Sequence, residues 1–139
     1  MASAKRQERI LSILHKVAEA VNPVSSARIA AAVVYRGDIV SFGHNQKKSH
    51  PFQAKYGKNE GCIYLHAEVD AIKNALRCMP VEELQYVDLY ISRVKRPEPK
   101  SSRFISGLAK PCAGCTKAIV TFGIRNVFYT CDDGTIQKL

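Results

Sequence analysis

The sequence predicts one α/β domain. Three observations carry that expectation. The periodic segments run in the order helix, two strands, helix, strand, helix, two strands. A chain of 139 residues is long enough for one sizeable core without staples. No internal repeat, low-complexity tract or composition break divides it. Residues 1–139 are therefore read as a single domain, with an N-terminal helix over 1–22 and a core over 28–139.

Residues 5–21 have helical periodicity. Ile10, Leu14, Val17 and Val21 share one face, with Leu11 and Ile13 beside it, and Asn22-Pro23 stops the helix. Arg28 to Tyr35 is a nearly continuous apolar strand. Arg36-Gly37-Asp38 turns it into a second strand, Ile39 to Phe42. A polar, basic loop is expected over 44–61. A helix is expected from His66 to Cys78, with Val69, Ile72, Ala75 and Leu76 buried and Met79-Pro80 ending it. Tyr86 to Ser92 reads as a strand, with Val87, Leu89 and Ile91 on one side. Residues 93–110 contain Pro97, Pro99, Gly107 and many charges, and read as a long loop. A helix from Cys112 to Phe122 takes Gly123 as its C-cap. Asn126 to Thr130 and Ile136 to Leu139 are the last strands. The Asp132–Thr135 turn between them makes the pair antiparallel.

Composition narrows the class. The apolar fraction, 46%, is that of an ordinary soluble protein. No apolar run reaches membrane-spanning length, and Met1–Arg6 is not followed by a signal-peptide apolar region. The expectation is a cytoplasmic protein with no membrane partner. An odd count of five cysteines (Cys62, Cys78, Cys112, Cys115 and Cys131) argues against a disulfide framework and for metal or catalytic use. Cys62, Cys78 and Cys131 are expected as small buried residues.

The net charge of +9 is concentrated. Residues 44–60 hold Lys47, Lys48, Lys55 and Lys58 against Glu60. Residues 93–110 hold Arg93, Lys95, Arg96, Lys100, Arg103 and Lys110 against Glu98. These segments suit a positive rim for a phosphate-bearing ligand, or equally two solvated loops.

Two motifs carry the chemistry: His66-Ala67-Glu68 and Pro111-Cys112-Ala113-Gly114-Cys115. They supply one imidazole, two thiolates and a carboxylate. Zinc held by three protein ligands keeps an open position, where a water acquires a pKa near neutrality. Both motifs fall at expected helix starts, whose free N–H groups and partial positive charge favour thiolates. Cys112 and Cys115, three residues apart, share a face. Glu68 leaves the same turn as His66 in another direction, so it can reach the water instead of the metal. Either motif alone is weaker: the cysteines could form a redox pair, and the triplet a surface helix start. Together they match the zinc deaminase pattern H-x-E…P-C-x-x-C.

On these residues the chain resembles the cytidine/deoxycytidylate deaminase superfamily over about residues 28–139. The resemblance implies His66, Cys112 and Cys115 as Zn²⁺ ligands and Glu68 as the catalytic proton shuttle. It implies Asn45, in Gly43-His44-Asn45, as a contact to the substrate sugar, with Ala67 as a second substrate contact. Asn45 could otherwise be a turn residue bonding its own backbone. The implied fold has three α/β/α layers, with a five-stranded mixed sheet and helices on both faces. The implied activity converts cytosine to uracil with ammonia release, on a free nucleotide or nucleoside such as dCMP or cytidine. Single-stranded DNA or RNA is the alternative, favoured by charge but not by the few aromatics near the basic segments (Phe52, Tyr56, Tyr64 and Phe104). A non-enzymatic zinc domain would not need Glu68. A homo-oligomer is also implied. His44 could line a pocket or simply be polar, and Tyr64, Phe104 and Tyr129 read as stacking or packing groups.

Overall fold

The computed structural model describes residues 4–23, 27–49 and 64–139. An inner strand of the sheet, β1 (Arg28–Tyr35), explains the apolar run: Ala30 to Val34 are all buried. A strand covered on both faces needs no alternation. Ala30, Ala32 and Val34 pack with Ile10, Leu14 and Ala18 of helix α1 (Ala4–Glu19). Ala31 and Val33 belong to the opposite core, with Ala67, Ala71, Ile72 and Ala75 of α2 (Ala67–Ala75) and Ile119 of α3 (Ala113–Phe122). The layers are thus α1, sheet, then α2 with α3, as expected.

β1 pairs antiparallel with β2 (Asp38–His44) through a two-residue turn, Arg36-Gly37. Both turn residues have positive φ, 52° and 83°, the geometry that matches the twist of a tight hairpin. On its other edge β1 pairs antiparallel with β5 (Val87–Lys95). β7 (Asn126–Thr130) lies parallel to β5, and β8 (Ile136–Lys138) antiparallel to β7. The last pairing agrees with the Asp-Gly turn.

Among the described residues the sheet has six strands, not five. The stretch 93–110 is not wholly a loop. β5 continues to Lys95, and β6 (Ile105–Gly107) pairs with Arg93, Val94 and Lys95, beyond the residues that pair with β7. Three residues carry no periodicity of their own, so β6 exists through its partner. Within 44–61, β3 (Gln46–Ser49) pairs with β4 (Tyr64–Leu65) as a separate two-stranded ribbon. Residues 50–63, with Phe52, Lys55, Tyr56, Lys58, Glu60 and Cys62, lie outside the described residues. Helix α2 ends at Ala75, earlier than the expected Cys78. Cys78 is exposed and Cys131 only half-buried, correcting their expected burial; both lie beside turns rather than within a packed face. Gly123 caps α3 with φ 70°, as its position requires.

Candidate active site

The site is built where α2 and α3 begin. Leu65, Val69, Cys115 and Ala118 form a small apolar cluster that brings the two helix starts together. His66 is the N-cap of α2 and Cys112 the N-cap of α3. His66 makes no side-chain cap bond, so its ring turns toward α3. Its Nδ1 lies 3.2 Å from Cys115 Sγ and 3.6 Å from Cys112 Sγ. Cys112 Sγ accepts from the Cys115 N–H at 3.4 Å, a bond available because first-turn N–H groups lack helical partners.

The three ligand atoms lie within 4.8 Å of one another. Zinc–sulfur and zinc–nitrogen bonds at tetrahedral angles place donors roughly 3.3–3.8 Å apart, so this donor set fits a zinc ion in both chemistry and spacing. Electrostatics agree. Hydrogen bonds from the Cys115 thiol and from His66 bring the Cys112 thiol down to about 3, against the opposing effect of burial. Cys115 is pushed up because it donates to that thiolate and is itself buried. The pair therefore shares a proton that a cation would displace.

Glu68, in the first turn of α2, is 6% exposed. Burial pushes its carboxyl above the usual range, opposed by its own backbone hydrogen bond and by the nearby His66. Glu68 lines a cavity of about 340 Å³ together with His66, Cys112, Ala67 and Asn45. That volume lies at the lower end for small-molecule pockets. All six site residues expected from sequence are thus near one space: five line it, and Cys115 lies behind, fully buried.

The Asn45 side chain does not bond its own backbone, as a turn residue would, but reaches across to the start of the neighbouring strand. Its Oδ1 accepts from Ile29 N–H and its Nδ2 donates to Ala27 C=O, each at 2.9 Å. It therefore anchors the start of β1, leaving one amide N–H to offer a ligand. Gly43 has a steric reason: a Cβ there would stand 2.2 Å from Ala71 N and 2.4 Å from Ala67 O. Only glycine lets β2 come this close to α2. Polar straps tie the same contact. Ser41 Oγ donates to Ala71 C=O at 2.8 Å, and Asn74 Nδ2 to Phe42 C=O at 2.8 Å. Asp70 accepts from His44 N–H and Gln46 Nε2 and pairs with Lys73.

Sequence reasoning missed Asp70, an acidic residue inside a helix start with nothing to mark it as buried. It also missed Leu108 and Ile29 as cavity walls. His44 is exposed and lines a shallow hollow on the α1 side instead of this cavity. Phe104 is flanked by Arg28 and Arg96, whose guanidinium carbons lie 5.2 and 5.3 Å from its ring centre. Tyr129 packs against the α2–α3 core. The Tyr64 side chain lies outside the described residues.

A model of the family described as "Cytidine and deoxycytidylate deaminase zinc-binding region" matches residues 4–131. The chain belongs to this family. The match takes in α1 as well as the core that the resemblance covered. The dCMP deaminase of the cyanophage S-TIM5 in apo form is similar in structure, with a TM-score of 0.62 and 19% identity over 94% of this chain and 86% of that one. The same enzyme in complex with dCMP and dUMP gives a TM-score of 0.62 and 19% identity over 94% and 85%. At this identity the likeness establishes the shared fold. None of the curated proteins compared with the chain matches it. Among the described residues, no helix of this family member is long and apolar enough to cross a membrane.

Proposed function

We propose that the protein is a zinc-dependent hydrolytic deaminase acting on the cytosine base of a free nucleotide or nucleoside, such as dCMP or cytidine. One observation carries this reading: a buried carboxylate and a His/Cys/Cys donor set meet at the same cavity. A redox thiol pair or a structural zinc knuckle has no use for that carboxylate.

His66, Cys112 and Cys115 would hold the zinc. When bound, zinc supplies Lewis acidity that makes water a competent nucleophile near neutral pH. The remaining work falls to the chain. Glu68 takes a proton from the attacking water and passes it to the ring nitrogen beside the amino-bearing carbon. Once the water oxygen has bonded to that carbon, Glu68 takes the second proton from the new hydroxyl and delivers it to the leaving amine, so the C–N bond breaks, ammonia departs and the carbonyl of uracil remains. Its raised pKa suits this exchange, because the carboxyl must both accept and release a proton near neutrality. Ile29, Leu65 and Leu108 give the base an apolar bed, Ala67 lies against it, and the remaining Asn45 amide N–H meets the sugar.

The family assignment supports cytosine chemistry, and the solved complex of the cyanophage enzyme with dCMP and dUMP supports a nucleotide-sized ligand. The single domain, cytoplasmic setting and homo-oligomeric assembly belong to the same proposal. A second substrate class, single-stranded DNA or RNA, is favoured by a basic cleft that adjoins the cavity and is lined by Arg28, Arg93, Lys95 and Arg96. The test is ammonia release by zinc-loaded protein on dCMP, cytidine, deoxyadenylate and a cytosine-containing oligonucleotide. Turnover of dCMP or cytidine supports the proposal. Turnover of the oligonucleotide alone selects the second class, and ammonia from none of them refutes both.

A further inference from the structure

The cavity wall holds charged groups that the chemistry above leaves unused, and one of them is partly buried. Arg93, near the end of β5, lines the cavity with Glu68 and Cys112. Its backbone N–H donates to Thr130 Oγ1 at 3.1 Å, and that hydroxyl donates to Gly107 C=O at 2.8 Å. The residue is thereby fixed between β6 and β7. Its aliphatic stem runs over Gly107, where a Cβ would stand 3.1 Å from Arg93 Cγ and 3.2 Å from Cδ. Glycine at that point leaves the space in which the stem lies.

One donor of the guanidinium is not satisfied. Arg93 Nε is buried and finds no hydrogen-bond partner among the described residues. A buried donor without a partner is costly and uncommon, and a ligand oxygen is one group that would complete it. Arg93 also forms no ion pair among the described residues. Asp132 is already held by Lys95 at 2.8 Å. On its outer side Arg93 borders the basic cleft, where Arg28 donates to the carbonyls of Glu19 and Val21 and, with Arg96, flanks Phe104. Those cations are largely committed, but they keep the potential positive where Arg93 sits. Lys110, exposed, lines the cavity as well.

Resting on the deaminase reading, we propose that Arg93 determines substrate specificity by receiving an oxygen of the substrate's phosphate, so that the substrate is phosphorylated and not a bare nucleoside. A guanidinium presents a planar fork of donors suited to phosphate oxygens, which an ammonium does not. The cavity then serves each end of a nucleotide: Glu68 and the apolar bed of Ile29, Leu65 and Leu108 for the base, Arg93 for the phosphate.

The experiment compares zinc-loaded wild type, Arg93→Gln and Arg93→Lys on dCMP, deoxycytidine and a single-stranded trinucleotide with a central cytosine, with thermal melts of each protein. Wild type is expected to prefer a phosphorylated substrate. Arg93→Gln should lose roughly 10- to 100-fold in kcat/KM on that substrate, mostly through KM, and stay within about twofold on deoxycytidine. Arg93→Lys should recover part of the loss, because it restores charge without the fork. Loss on dCMP assigns the contact to a phosphate monoester, and loss on the trinucleotide alone to a phosphodiester. An equal loss on all substrates, or a wild type that prefers deoxycytidine, overturns the proposal. If no substrate releases ammonia, the deaminase reading fails separately. Arg93 is then judged by titrating dCMP and deoxycytidine into the same proteins: unchanged dCMP binding in Arg93→Gln overturns it, and binding weakened tenfold or more for dCMP alone upholds it.

Discussion

The two faces of the sheet are held by different means. On the α1 face, Ile10, Leu14 and Ala18 meet Ala30, Ala32, Val34, Tyr90 and Val94 in apolar packing, with Tyr90 stacked on Phe128 at 5.0 Å, and Arg28 of β1 donates to the carbonyls of Glu19 and Val21 where the helix ends. On the other face, apolar packing is supplemented by Ser41, Asp70 and Asn74, which tie β2 and β3 to α2, and by Gly43, which lets them touch. Apolar packing is non-directional and fixes a helix only loosely along its axis, whereas hydrogen bonds fix position. The face that must place His66 and Glu68 uses them within α2 itself, at Asp70, Ala71 and Asn74. α1 is therefore a stabilising layer, and α2 is a positioned one.

Glu68→Ala is the sharpest break between position and stability. Activity should fall by at least 10²–10⁴-fold, to no detectable turnover, while zinc content and the melting transition persist. Retained turnover in an ammonia assay would refute the role of Glu68. On the opposite face, Leu14→Ala empties a fully buried site and should cost about 2–5 kcal/mol in denaturant unfolding. The activity per folded molecule should not change, since the α1 face carries no chemistry. A lowered kcat in the folded fraction would show that the layers are coupled.

Gly43→Ala tests the close approach directly. The added carbon must move α2, costing about 1–3 kcal/mol and, unlike Leu14→Ala, weakening zinc affinity in competition with a chelator. The smallest effect concerns Glu68→Gln in metal-free protein. Burial raises the folded pKa of Glu68 above that of the unfolded chain. The penalty for its ionised form is absent below the unfolded pKa, grows as pH rises between the two values, and is complete above the folded one. Glu68→Gln should therefore raise Tm at about pH 8, with the gain vanishing as pH falls to about 4. A gain independent of pH would assign it to packing instead of charge.

Much of the site was legible because its signals are local. The donors sit within two short motifs, and the caps His66, Cys112 and Gly123 fall where helix periodicity begins or ends. β1 was legible because Ile29 to Tyr35 run without polar interruption. The misses share one cause. β6 and β3 are short strands defined by partners far along the chain. Asp70 is buried by bonds from His44 and Gln46, 26 and 24 residues away, and no periodicity marks it.

The sequence by itself determined the types of the long elements, the family, and the donor chemistry with its helix-start placement, since each rests on local patterns and short motifs. Only the tertiary structure decided that β5 extends to place Arg93 in the cavity wall over Gly107, that Asn45 spends most of its amide anchoring β1, and that Gly43 marks backbone contact with α2. Those facts arise from packing between segments distant in the chain, where burial and hydrogen-bond satisfaction, not local periodicity, select the arrangement.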